Sequence, residues 1–205
     1  MPFGDHWEWR GFGQTTATFR AWFHTLPSYL PTTDNELHDT YLWTPTCRHN
    51  VKLRYNALKF KRFLAREGMF ERWLEDPDEV LPFPMAPEHL RQVEILLDVR
   101  LPELPTHPVD RDAFLALLAR AHPPVHQVLV MKQRRLSRWR LPSGDEVLVE
   151  WTRLRQPRVQ ETVSLEHERL AVLARAYEGL ASRLSGLQPM NYLQAIAHWL
   201  SPQGN

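Results

Sequence analysis

Along much of this chain every second residue is apolar and its neighbours are charged, the two-residue repeat of a strand with one greasy and one polar face. The pattern is sharpest at His6-x-Glu8-x-Arg10, Lys52-x-Arg54, Lys59-x-Lys61, Lys132-x-Arg134 and Glu146-x-x-x-Glu150. The opposite faces carry Trp7 and Trp9, then Val51, Leu53 and Tyr55, then Leu58 and Phe60. Alternation of this kind predicts strands over residues 3–10, 37–44, 48–55, 58–63, 125–141, 146–154 and 159–166. Asn56 is a turn residue between the third and fourth of these, and Pro142-Ser143-Gly144 turns the fifth into the sixth.

Helical spacing replaces the two-residue repeat elsewhere. Phe19, Trp22, Phe23 and Leu26 predict a short helix over 18–26, and Phe114, Leu117 and Leu118 one over 111–121. A further helix runs from Pro87-Glu88 toward Leu97. Two more are expected over 167–184 and 190–200, the last with Leu193, Ile196, Ala197 and Leu200 inward. Prolines crowd the stretch 77–124 and forbid continuous sheet or long helix there. The chain therefore reads as one domain over 1–205: strands, a proline-rich helical connector at about 76–124, strands again, then terminal helices. The basic strand and hairpin of the first half are echoed in the second, which hints at a pseudo-symmetric antiparallel sheet or barrel.

Composition narrows the function classes. An apolar content of 43% and a charged content of 24% belong to an ordinary globular protein. A formal charge of +1 argues against bulk nucleic-acid binding, so any electrostatic function must come from local clustering. A lone Cys47 excludes a disulfide framework and a cysteine zinc site, and reads as a buried or idle thiol. The first ten residues lack the apolar run of a signal peptide, and no stretch reaches membrane-spanning length; a cytoplasmic location without membrane association is expected. There is neither a phosphate-binding glycine loop nor a G-x-S-x-G elbow.

The charged faces have two fates. Each alone is most simply a wet face with surface salt bridges. Taken together, and covered outside by helices, they can instead turn inward and line a cavity. A basic interior then needs carboxylates or a bound anion as counter-charge. Glu8, Glu150 and Glu166 offer ligands suited to hard divalent cations, and lysine and arginine grip phosphate oxygens. A metal-bound polyanion fits such a cavity. His6 shares the face of Glu8 and could be a metal ligand, but a lone histidine near a terminus reads first as an exposed or hydrogen-bonded bystander.

These residues resemble the CYTH superfamily, the triphosphate tunnel metalloenzymes. The opening strand of that family, Glu-x-Glu-x-Lys, corresponds to His6-Trp7-Glu8-Trp9-Arg10. Its basic pair is similar to Lys52-Leu53-Arg54, with Lys59 and Lys61 on the next strand; its second basic strand is echoed by Lys132-Gln133-Arg134. An acidic strand resembles Val149 to Arg153, and a late glutamate strand resembles Thr162 to Glu168. The resemblance implies an α+β fold, an antiparallel eight-stranded tunnel-like β-barrel with flanking helices. It implies hydrolysis of an inorganic or organic triphosphate with Mg2+ or Mn2+. Glu8, Glu150 and Glu166 would hold the metal as catalytic carboxylates, and Arg10, Lys52, Arg54, Lys59, Lys61, Lys132 and Arg134 would bind phosphate. Removing a cation from such a self-repelling lining, as in Arg54→Ala or Arg134→Ala, is expected to leave the empty protein equally or more stable.

The departures are His6 for the first carboxylate, Arg10 for the lysine and Ser164 for a late glutamate, unless Glu166-x-Glu168 is the register. They keep a second expectation open: a non-catalytic polyphosphate- or nucleotide-binding member of the same fold. A third is a protein-interaction module docking a partner through exposed Trp7, Trp9 and Trp151.

Overall fold

The computed structural model describes residues 4–28, 36–76 and 78–201. Its strands are β1 (Gly4–Gly13), β2 (Glu36–Trp43), β3 (Asn50–Arg54), β4 (Ala57–Glu67), β5 (Phe70–Glu75), β6 (Val80–Pro82), β7 (His126–Arg140), β8 (Glu146–Gln156), β9 (Gln160–His167) and β10 (Leu187–Pro189). Its helices are α1 (Ala17–Phe23), α2 (Pro87–Leu97), α3 (Arg111–Leu118), α4 (Leu170–Leu180) and α5 (Tyr192–Leu200). The predicted strands and helices all form, apart from residue 3, which lies outside the described residues, and shifted ends. The helix expected over 167–184 is the shorter α4, and the one over 111–121 is the shorter α3.

Eight strands close an antiparallel barrel in the order β1-β5-β4-β3-β2-β7-β8-β9, and β9 pairs back to β1. The sequence reading omits β5, without which the barrel would stay open between β1 and β4. Gly68, at φ 58°, turns β4 into β5 in the left-handed region that suits glycine. Short β6 and β10 extend the sheet at β4 and β1.

Two apolar layers wrap the outside. On one side, α2 and α3 pack Leu90, Val93, Leu97, Phe114 and Leu118 onto Val51, Leu53, Leu58 and Phe60. On the other, α1 and α4 cover Trp9, Val149, Trp151, Val163 and Leu165. Full burial of each such side chain contributes roughly 1.5–3 kcal/mol, and the aromatic ones more. This outer clothing is what turns the charged alternate positions inward. Trp9 and Trp151 are 1% and 2% exposed, and Trp7 packs against the same cluster. That corrects the expectation of exposed tryptophans as a docking face: they are the barrel's outer core.

Inside, one end of the barrel is apolar. Phe12, Tyr41, Val128, Val130 and Leu154 meet Tyr192, Ala195 and Ile196 of α5, which closes that end like a stopper. The remaining lumen is charged.

Candidate functional site

Strand register decides which charges meet. Glu8 on β1 stands directly opposite Glu166 on β9, and Arg10 opposite Ser164. Ser164 in turn faces Glu150 on β8. Because Ser164 is short, Arg10 reaches across it. Its Nε donates to Glu8 Oε1 at 2.6 Å, its Nη1 to Glu150 Oε1 at 3.0 Å, and its Nη2 lies 3.8 Å from Glu166 Oε1. The register also settles the late acidic pair: Glu166 is inside and buried, whereas Glu168 lies past the strand and is exposed.

A second pole forms around Asp39 on β2, which is fully buried. Arg54 grips it with a fork, Nε at 2.6 Å and Nη2 at 2.7 Å, and Lys132 Nζ lies 2.9 Å away. Lys132 also donates to Tyr41 Oη at 3.2 Å. Between the poles, Lys61 joins Glu75 at 2.9 Å to Glu8 at 3.5 Å. Arg134, half-buried, has among the described residues a loose 3.6 Å pair with Glu150. Lys52 hangs over the Tyr41 ring at 5.7 Å with no carboxylate in ion-pair range among the described residues.

The cavity between these groups has a volume of about 840 Å³ including its open mouth. Of the candidates read from the sequence, Glu8, Arg10, Lys52, Arg54, Lys61, Lys132, Arg134, Glu150 and Glu166 line it. Lys59 pairs with Lys52 across β3–β4 but stays outside the lining. The sequence reading missed Asp39, Tyr41, Trp73, Glu75, Asn191 and Tyr192. Strand phase on β2 carried the signal for Asp39 and Tyr41, while β5, mixed on both faces, gave none for Trp73 and Glu75. Tyr192 gave none, since its helical spacing speaks only of an apolar face.

The electrostatics are more balanced than a bare cationic tunnel. Arg10, Lys52, Arg54, Lys61, Lys132 and Arg134 face Glu8, Asp39, Glu75, Glu150 and Glu166. Burial alone would raise every one of these carboxyls. Instead Arg10, Arg134 and Lys132 hold Glu150 far below the usual range, and Lys132, Lys52 and Arg54 do the same for Asp39. Lys61 and Lys52 bring Glu75 down to about 2. Glu166 is the exception: burial, with Glu8 and Glu150 beside it, pushes it up despite Lys61. Lys52 is drawn down to about 7 by burial together with Arg54 and Lys132, against the pull of Asp39.

The balance reverses one expectation. Arg54 is not a repelled surplus charge but half of a buried ion pair. Arg54→Ala leaves Asp39 with Lys132 alone, and breaking such a pair costs about 3–5 kcal/mol when no partner remains. With Lys132 still in place, we expect a loss of about 2–3 kcal/mol, seen as a melting point lowered by roughly 4–12 °C. A melt equal to the parent's contradicts this account of Asp39.

One group of ligand atoms is set for a cation. His6, Glu8 and Glu166, all buried, bring atoms within 4.8 Å of one another. His6 Nε2 has no hydrogen-bond partner and lies 3.9 Å from Glu166 Oε2, too long for a hydrogen bond. Two carboxylates and an orphaned imidazole nitrogen are a donor set that fits a divalent metal. Glu150 stands apart from the trio, engaged by the arginines.

No family model matches the chain, and no curated protein matches it. Solved structures do. A candidate adenylyl cyclase of Hippeastrum with a dominant triphosphatase activity shares 14% identity at a TM-score of 0.52, covering 96% of this chain and 98% of its own. A conserved hypothetical protein of Pyrococcus furiosus (16% identity, TM-score 0.48) covers 92% of this chain and 98% of its own. A candidate adenylate cyclase of Bacillus halodurans (10%, 0.48) covers 94% and 98%. At these identities the likeness speaks of architecture, and with the closed eight-stranded barrel and its flanking helices it gives the chain a CYTH-like fold.

Proposed function

We propose that this protein hydrolyses an inorganic or organic triphosphate in its lumen with the help of a divalent metal, Mg2+ or Mn2+. The observation that carries the reading is the convergence of six cations and their carboxylates on one cavity of a closed barrel. Triphosphatase activity in the Hippeastrum neighbour is consistent with it.

The phosphate chain would lie between Arg134, Lys52 and Lys61, with Arg54 and Lys132 held in position by Asp39. These side chains neutralise the charge that develops on the transferred phosphoryl group. Phosphate oxygens would compete with Glu150 for Arg10 and Arg134, leaving the Glu150 carboxylate as a further oxygen donor that could help hold the metal. Trp73, Leu136 and Leu148 narrow the lining and limit the water inside. Glu8 and Glu166 would hold the metal, which supplies polarisation of a phosphoryl oxygen and a more acidic bound water.

The test is phosphate release from tripolyphosphate and nucleoside triphosphates with and without added Mg2+ or Mn2+. Release that requires the metal supports the hydrolase. The lock of Glu150 on Arg10 and the serine at 164 favour a second reading, a lumen that binds polyphosphate or a nucleotide without cleaving it. Tight binding with no release under any divalent metal selects that alternative. Among the described residues no helix is long and apolar enough to cross a membrane.

Lys52 adds a proton signature. A group whose free pKa is about 7 is largely uncharged at pH 8, and a bound polyanion restores its charge. Affinity for tripolyphosphate should therefore rise as pH falls toward about 7 and level off below it, with proton uptake on binding at pH 8. Calorimetry in buffers of different ionisation enthalpy measures it, and Lys52→Arg, permanently charged, should take up fewer protons. Equal uptake in both proteins contradicts this role.

A further inference from the structure

We infer that His6 is a nitrogen ligand of the lumen's metal, so that the site selects a transition-metal dication over Mg2+; this rests on the metal-assisted reading above. His6 is 1% exposed. Its Nδ1 lies 2.9 Å from the Gly4 carbonyl oxygen, which can only accept, so Nδ1 carries a proton. A backbone carbonyl on one ring nitrogen is the usual device for aiming the other at a metal. The other nitrogen, Nε2, has no hydrogen-bond partner among the described residues. The large majority of buried side-chain polar atoms have one.

The surroundings explain the aim. His6 sits two residues before Glu8 on β1, so both project to the same side, and the Glu8–Glu166 cross-strand pair brings the second carboxylate beside them. Ligand atoms within 4.8 Å of one another must close to no more than about 4.2 Å to share an ion bound at about 2.1 Å from each, an adjustment that side-chain rotation can supply. Imidazole binds Mg2+ poorly, because that small, hard ion favours oxygen and holds its water. The later first-row dications accept imidazole nitrogen most strongly, and Mn2+, the weakest binder of that series, still accepts it better than Mg2+ does. A carboxylate at residue 6 would make an all-oxygen site; the imidazole makes a mixed one.

The experiment uses the full chain stripped of metal, with Mn2+ as the probe. Mn2+ binding is followed by loss of the free-ion EPR signal, and Mg2+ is added as competitor. Pulsed EPR of the bound Mn2+ reads nitrogen-14 coupling directly. We expect one Mn2+ per chain, at least tenfold tighter than Mg2+, with imidazole nitrogen coupling. His6→Glu should abolish the coupling and bring the Mn2+ to Mg2+ ratio down at least tenfold. Should that variant fail to fold, His6→Gln and the wild-type spectrum decide the matter. Bound Mn2+ without nitrogen coupling, no Mn2+ bound to the folded protein, or an unchanged metal ratio in a folded variant overturns the inference. The two readings separate cleanly. Triphosphate cleavage without nitrogen coupling removes His6 from the metal and leaves the hydrolase; nitrogen coupling without cleavage does the reverse.

Discussion

Arg10→Met should cost the protein about 3–5 kcal/mol, the penalty for uncovering buried charge, and lower its melting point by roughly 6–20 °C. Methionine keeps the unbranched apolar stem and removes the guanidinium with its hydrogen bonds. Arg10 is the hub of the acidic pole, within 2.6 Å of Glu8, 3.0 Å of Glu150 and 3.8 Å of Glu166. Lys61 and Arg134 compensate in part, at 3.5 Å and 3.6 Å. The pH dependence fixes the cause. In the parent, Glu8 and Glu150 are depressed, so their stabilisation is present near neutrality and is lost as pH falls toward their folded values. In the variant these carboxyls, buried and short of cations, rise above their unfolded values and are more stable protonated, so the variant gains as pH falls. The gap between the two melting temperatures should narrow as pH falls from neutrality toward and through the carboxylate range. A gap that stays constant with pH means a packing loss rather than an electrostatic one. A variant melting with the parent removes Arg10 as the hub.

Glu150→Gln should move two observables in opposite directions. Glutamine keeps the shape and loses the charge. Metal-dependent phosphate release should fall roughly 10²–10³-fold, the usual loss when one preorganised polar group is removed from a reacting centre. Metal-free tripolyphosphate should nonetheless bind about tenfold tighter, since a carboxylate worth about 1.5 kcal/mol no longer competes for Arg10 and Arg134. Phosphate assays and calorimetry in chelator check the pair. Turnover at the parent's rate takes Glu150 out of the chemistry, and weaker metal-free binding contradicts the competition.

The legible and illegible parts of this molecule divide along physical lines. Alternation marks β7 and β8 because both arms repeat over many residues and a Pro-Ser-Gly turn joins them. The same period puts Glu8, Lys52, Arg54, Lys132 and Glu150 on the inner face, and the closed barrel brings them together. What alternation cannot carry is cross-strand register. Whether Arg10 meets Glu150 depends on Ser164 lying between them, and whether Arg54 meets Asp39 depends on how β2 pairs with β3. β5 escaped notice because Phe70, Arg72 and Leu74 make a mixed outer face, and its inner face includes Trp73. The burial of His6 was not legible either: alternation gives its face, whereas its pairing with Trp73 of β5 and the closure of β1 onto β9 from Trp7 onward enclose it.

The central claim is that the lumen seats the triphosphate, and Arg134 gives the cleanest access to it. Its loose pair with Glu150 and its half-buried side chain mean that removing it should change stability by no more than about 1 kcal/mol. Titration calorimetry of tripolyphosphate into the parent and Arg134→Ala is therefore the measurement to make. The account predicts one equivalent bound per chain, an affinity lower by about 2–3 kcal/mol in the variant, and nearly superimposable melts without ligand. A parent that binds no tripolyphosphate, or a variant that binds it as the parent does, contradicts the account.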